Sequence, residues 1–370
     1  MPARVPYFQV AVEGRDITPW VSGVTAVEDD RQADSISITV PDPRMLYGDS
    51  LIEGSEAEID MGYAGSGQHA LMLRAVITKV EQSYPEGGVP TLTLKGEDKS
   101  ILMGLEERKR VWRDRKVTDI VRAVAKPYQF QVTAQLSPDK VPTRPIVQDG
   151  KTDLAFLQEL AGDHHGKCFV ELDRDGKEVL YFIPERRVVT LNRPDELVLA
   201  YRTGPASNLL SFSPSFDSSY IDRQKEIADI DRQGRKVKTQ DKPPASVVVW
   251  DLDEELLAAA NKRDRGLIEQ LHRSGSARKR DLGRQLAAKR ATIGRAAADS
   301  DDLEATNDTL ESLRLGMAAS GTAVGNIWLR AKSAVHVTGV HARFRGRWYV
   351  SNVTHKIEGG AYTTDFKCVR

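Results

Sequence analysis

The sequence predicts a mainly β protein, α+β overall, in which two related antiparallel β-domains flank a small α+β domain and a polar helical insert. Three observations predict it. A β-hairpin is written twice, once near each end; the first hundred residues alternate polar and apolar almost throughout; and helical spacing appears only after that stretch.

The repeated hairpin is the firmest of the three. Near the C-terminus, Val350-Ser351-Asn352-Val353-Thr354-His355-Lys356-Ile357 is followed by Gly359-Gly360, a pair that permits positive φ, and by a second alternating run ending in Phe366-Lys367. Near the N-terminus, Ile77 to Tyr84, then Gly87-Gly88, then Thr91-Leu92-Thr93-Leu94-Lys95 repeat it once Pro85 is skipped. Val80 falls on Val353, Leu94 on Phe366, and Lys95 on Lys367. Each copy follows a strand that ends in glycine, Glu58 to Gly62 and Val335 to Gly339.

Composition bounds the function classes. At 370 residues the chain holds two or three domains, and 40% hydrophobic with 29% charged residues describes a folded globular protein. Lys plus Arg and Asp plus Glu both number 53, so no global field recruits nucleic acid or an acidic membrane. Cys168 and Cys368 are too few for a secreted disulfide scaffold and are expected as free thiols made in a reducing cytoplasm. No apolar window approaches the ~18 residues of a membrane span, and the N-terminus lacks a signal-peptide core.

Residues 1–100 form the first β-domain, a small barrel or sandwich of about six short strands, with Ile36, Ile38 and Val40 on one face and Ser35, Ser37 and Thr39 on the other. Residues 101–205 form the α+β domain. Its first helix runs from Lys116 to Lys126 with Thr118 as cap, and its second opens at Thr152 and ends near Gly166. Strands 167–172 and 178–183 follow, joined at Asp173 to Gly176. Residues 206–250 hold strands of the second β-domain and a linker, including Leu209 to Phe216 and Ser246 to Trp250. A polar helical insert, 251–320, is read as helix to about Ala319, and 321–370 supply the remaining strands, which return from Gly325. Between Lys262 and Arg295, eleven basic residues face only Asp264, Glu269 and Asp281. Such a run reads first as a solvated helical face or a mobile arm, and otherwise as a surface that docks an acidic partner or nucleic acid through Arg263, Arg265, Arg278, Lys279, Arg280, Lys289 and Arg290.

Motifs for catalysis or cofactors are missing: there is no phosphate loop, dinucleotide turn, nucleophile elbow or zinc-protease helix, so no cofactor is expected. Asp163-His164-His165 with Cys168 reads as structural, because adjacent histidines diverge on a helix and no second ligand pair sits at zinc spacing. Structural or interface roles fall to Ile77, Val80, Gly87, Gly88 and Leu94 in the first hairpin, and to Gly339, Phe344, Gly346, Trp348 and Tyr349 before the second. Val353, Gly359, Gly360 and Phe366 complete them within the second.

Several local runs resemble one family in the same order. They are Gly14-x-Asp16-Ile17-Thr18, Thr39-Val40-Pro41-Asp42-Pro43, Gly62-Tyr63, the run from Gln148 to Ala161, and Gly339-Val340-x-x-Arg343-Phe344-x-Gly346-x-Trp348-Tyr349-Val350 with Val353-Thr354-His355. The chain resembles the phage late control gene D family, the baseplate hub proteins of contractile tails, related to the hub portion of type VI secretion spike proteins. That resemblance implies two tail-tube-like β-barrels per chain and a homotrimer giving a pseudo-hexameric ring. The ring would join a hexameric tail tube to a trimeric central spike and leave a lumen for DNA or protein cargo. The implied partners are a second and third copy, the tail tube protein, the spike protein and other baseplate proteins, with no membrane binding of its own. The implied role is structural, and the implied location is a phage tail or injection-particle baseplate assembled in the bacterial cytoplasm. Two readings compete: a tail-tip peptidoglycan hydrolase using an unrecognised carboxylate pair, and a nucleic-acid- or cargo-binding module acting through helices 262–295.

Overall fold

The fold comes from a computed structural model that describes residues 5–216 apart from 66–67, 137–138, 165, 174, 185–187 and 189–196, the short pair 229–230 and 236–237, residue 273, and 317–369 apart from 343. The chain opens with β1 (Pro6–Val12), β2 (Arg15–Asp16), β3 (Gly23–Asp29), β4 (Ser35–Pro41), β5 (Glu56–Tyr63), β6 (Gln68–Ser83) and β7 (Thr91–Asp98). Burial in β4 alternates at every residue, so one face packs on a core and the other meets water. β6 runs for 16 residues, longer than the short strands expected, because its two halves serve different neighbours.

The middle of the chain supplies β8 (Glu107–Trp112), α1 (Val117–Ala125), β9 (Gln131–Ala134), β10 (Ile146–Thr152), α2 (Asp153–Asp163), β11 (Gly166–Leu172) and β12 (Glu178–Pro184). Buried Val117, Ile120, Val121 and Val124 give α1 its inward stripe, and Pro127 follows its end. Lys116, not Thr118, is its N-cap: the Thr118 hydroxyl is buried and donates to Asp139 at 2.7 Å. Thr152 caps α2, accepting from the Ala155 amide at 3.3 Å, and the helix stops at Asp163, short of Gly166, which begins the next strand. Phe156, Leu157, Leu180 and Phe182 join α1 in a separate core. β8, β9 and β10 lie in stretches the sequence left without strands.

The remaining strands are β13 (Leu197–Ala200), β14 (Leu209–Phe216), β15 (Asp229–Ile230), β16 (Lys236–Val237), β17 (Met317–Val324), β18 (Ser333–Thr338), β19 (Gly346–Glu358) and β20 (Ala361–Val369). Two expectations fail here. β17 begins at Met317, inside the stretch read as helical to Ala319, because Met317, Ala319, Gly321 and Ala323 take the buried positions of a period-two strand. β13 falls within the range given to the α+β domain but pairs in parallel with β18, a long-range contact that no local pattern announces.

Strand order shows a duplication. The N-terminal strands lie side by side as β3-β4-β7-β6-β5-β1, and the C-terminal ones as β14-β17-β20-β19-β18-β13, taken from the chain in the same sequence order. One pairing differs: β1 runs antiparallel to β5, whereas β13 runs parallel to β18. The two sets form one sheet because β19 pairs with β3 from Asn352↔Asp29 to Glu358↔Gly23. Each set has its own core, around Ile38, Ile59 and Leu94 in the first and around Trp348, Val350 and Phe366 in the second. Ile327, Ile357 and Tyr362 cross from the C-terminal set into the first core. Among the described residues no helix is long and apolar enough to cross a membrane.

Candidate functional site

The two hairpins match in hydrogen bonding as well as in sequence. Val80 lies opposite Leu94, and Val353 opposite Phe366. Each ladder slips at the same place, between Ile77 and Lys79 in one and between Val350 and Asn352 in the other, leaving Thr78 and Ser351 as the extra residues. Both hydroxyls then donate to equivalent carbonyls, Thr78 to Lys95 O at 3.4 Å and Ser351 to Lys367 O at 3.3 Å. The turns differ. Gly359 and Gly360 both have positive φ (57° and 77°) in a two-residue turn, whereas the first hairpin closes through a longer loop in which Gly87 (φ 70°) but not Gly88 is left-handed.

The other residues singled out by sequence fall around these hairpins. Ile77, Leu94, Trp348, Val353 and Phe366 are buried core positions, and Val80 is half-buried. The Trp348 indole donates to the Phe344 carbonyl at 2.9 Å, and the Tyr349 hydroxyl to Asp30 at 3.2 Å. Gly346 begins β19 with φ 118°. Gly339 has φ 75°, and a Cβ there would lie 1.9 Å from the Tyr201 carbonyl oxygen, just past β13. Arg263, Arg265, Arg278, Lys279, Arg280, Lys289 and Arg290, like the strand expected at Ser246 to Trp250, lie outside the described residues.

Where β19 meets β3, the structure assembles a buried charged cluster from all three parts of the chain. Glu28 and Asp98 come from β3 and β7 and Asp34 from the residue before β4, Glu171 from β11, and Lys332 from the turn before β18 with His355 from β19; all are at most 6% exposed. The Lys332 ammonium lies 3.3 Å from Asp34 and donates to the Asp29 carbonyl at 3.0 Å, over the Phe169 ring at 5.1 Å. Arg330 pairs with Glu28, whose other oxygen accepts the Ala331 amide at 3.0 Å. Lys167 reaches Asp30 at 3.1 Å, and Asp34 itself accepts the Asp29 amide at 2.9 Å.

The electrostatics follow from burial. Asp34 is pushed well above the usual carboxylate range by desolvation and by Glu28 and Asp98, with Lys332 opposing. Asp98 is also raised by burial, against hydrogen bonds from Ser100. Burial disfavours the charge of Lys332, but Asp34, Glu171 and Glu28 outweigh it and hold the ammonium above its ordinary value. His355 is driven down to about 4 by burial and stands neutral, with Nδ1 2.9 Å from the Tyr362 hydroxyl. The arrangement clamps the two strand sets and the middle unit together through charge-assisted bonds.

Sequence reasoning missed this cluster, although two signals were there. Glu28 and Asp30 continue the inward register of Val24 and Ala26, so carboxylates stand where apolar side chains belong. Lys332 has φ 60° and donates its amide to Val350 O at 2.9 Å, while Gly54, φ 88°, donates to Ile77 O at 2.7 Å, the same bond in the other copy. A lysine in a left-handed position that the sister repeat gives to glycine marks a side chain retained for its contacts. His164 ends α2, and Cys168 is buried with its thiol pushed up to about 12; among the described residues no group of His, Cys, Asp and Glu gathers as a metal site.

Several solved structures share the fold. The 43 kDa tail protein of prophage MuSo2 from Shewanella oneidensis matches with a TM-score of 0.62 at 12% identity, over 99% of this chain and 98% of that one. A tail protein from Neisseria meningitidis gives 0.58 at 14% identity, over 99% and 96%. The E. coli c3393 protein, a component of the type VI secretion system described as similar to T4 bacteriophage tail proteins, gives 0.52 at 13%, over 98% and 76%. No curated protein sequence matches. The family model for the phage tail baseplate hub (GPD) matches residues 35–361, from the start of β4 to the turn of the second hairpin, and the chain therefore belongs to the phage tail baseplate hub family.

Proposed function

We propose that this hub works as a homotrimer whose six strand sets, two per chain and each a tube-like barrel, form a pseudo-sixfold ring. The ring joins a hexameric tail tube to a trimeric central spike and leaves a lumen for DNA or protein cargo. The observation that carries this is the internal duplication: the two sets share strand order, hairpin register and bulge position, so three chains present six near-equivalent faces. The buried junction supports it, since a ring that transmits force needs its two halves fixed to one another. Spike and tube partnership fits a fold shared with tail proteins and a type VI secretion component. The division into a first strand set to about residue 100, a middle unit and a second set belongs to this proposal, with β13 and β17 counted in the second set, as does a docking role for the basic 251–300 segment, either against another baseplate protein or towards an acidic cargo. The test is mass by light scattering with negative-stain images of the same fraction. A three-chain ring with a central hole is expected, and it should survive deletion of 251–300; a compact monomer overturns the proposal.

A further inference from the structure

Within one chain the two strand sets are joined edge to edge, and the same two kinds of edge are left over at the far ends. The seam uses the second half of β19 and the outer side of β3. The counterpart of that half of β19 is the second half of β6, and the counterpart of β3 is β14. Both are open among the described residues: β5 pairs with β6 only as far as Val76, and β14 ends the sheet path.

The side chains at these edges read as half-made copies of the seam. Ile357, opposite Val24 across the seam, is 3% exposed and packs into the first core. Its counterpart Tyr84, one residue past the end of β6, is 60% exposed. Val24 corresponds to Phe212, since Val24 faces Ile38, which faces Leu94, as Phe212 faces Gly321, which faces Phe366. In the seam the Asp30 amide donates to Ser351 O at 3.0 Å, so alternate residues on β19 turn their backbone groups to β3. By the same parity Val80 aims its amide outward, and the exposed carboxylate of Glu53 occupies it at 3.2 Å. On β14 the outward position opposite Gln82 is Pro214, which lacks an N–H, so the edge resists strands that need every bond.

We propose that β14 of one copy pairs antiparallel with the Val80–Tyr84 edge of a second copy, repeating the β3–β19 seam between chains. In this register Tyr84 faces Phe212, Ser83 faces Ser213, Gln82 faces Pro214, and Glu81 faces Ser215. Phe216 takes over the Val80 amide from Glu53. The occupant is this chain itself, because the seam it repeats is already made within the chain. The inference rests on the ring reading and deepens it by naming the surfaces through which copies meet.

Ser83 and Ser213 are both exposed and fall at a site where side chains approach across an antiparallel ladder, while the native Cys168 and Cys368 are buried. Full-length protein carrying Ser83→Cys and Ser213→Cys, oxidised mildly, should give a ladder of covalent species ending at the closed oligomer. Neither single variant should do so, and Ser83→Cys with Ser215→Cys, two residues out of register, should link at least tenfold more slowly. As a second readout, Tyr84→Asp should raise the concentration at which the oligomer dissociates at least tenfold while leaving the monomer's melting unchanged. An oligomer by light scattering that fails to cross-link, or that prefers the shifted pair, overturns the seam and leaves the ring standing. A monomer at every concentration overturns both.

Discussion

The Lys332 ammonium sits 3.3 Å from the Asp34 carboxylate, both almost wholly buried, and joins strands 298 residues apart in sequence. Replacing Lys332 with methionine keeps most of the volume and strands Asp34 and Asp98 without their cation, while Glu28 keeps Arg330. A loss of roughly 3–5 kcal/mol in urea unfolding is expected. Because Asp34 is already raised by burial, the stranded carboxyl takes a proton more readily as pH falls, so the loss should be larger at pH 8 than at pH 5. Adding Asp34→Asn should recover part of it, and full additivity of the two changes would disprove the coupling.

His355 gives a second pH dependence of known sign. Its folded value of about 4 lies below the ordinary imidazole value of about 6.5, so between these limits the unfolded chain binds a proton that the folded chain refuses. Its contribution is intact above about pH 6.5 and declines as pH falls towards 4, by about 1.4 kcal/mol per unit where the slope is steepest. Denaturant midpoints of the native protein and His355→Gln between pH 7.5 and 4.5 should diverge in slope, with the variant flatter.

Gly339 and Gly14 share φ values of 75° and 71°, but only Gly339 faces an obstacle, the Tyr201 carbonyl. Gly14→Ala should cost about 1 kcal/mol, from backbone strain alone. Gly339→Ala should cost about 3 kcal/mol or more, because β13 must also move. Thermal melts of the two variants measure the difference, and equal losses would show that β13 yields freely.

Phe366 fills the space above Gly321, where a Cβ would lie 2.6 Å from its ring, and it stacks on Phe212 at 6.4 Å. Phe366→Ala should cost roughly 3–5 kcal/mol through the cavity it leaves. It should also loosen β14, seen as faster amide exchange along Leu209 to Ser215 than in Leu94→Ala, the equivalent change in the other hairpin.

Much of this molecule was written in its sequence. The alternation of Ile36, Ile38 and Val40 fixes a strand, and the repeated Val80 and Val353 fix two hairpins in the same register, because periodicity and turn chemistry act over a few residues. The order of such local runs points to the family that the match over residues 35–361 shows. Tertiary structure alone decided that β19 pairs with β3, that β13 joins β18 in parallel, and that Glu28, Asp34, Arg330 and Lys332 meet at one junction. A strand edge presents the same backbone groups whatever its side chains, so its partner is chosen by which core it also serves. A charge in an inward register announces that a counter-charge is needed, and only the folded chain determines which residue, hundreds of positions away, supplies it.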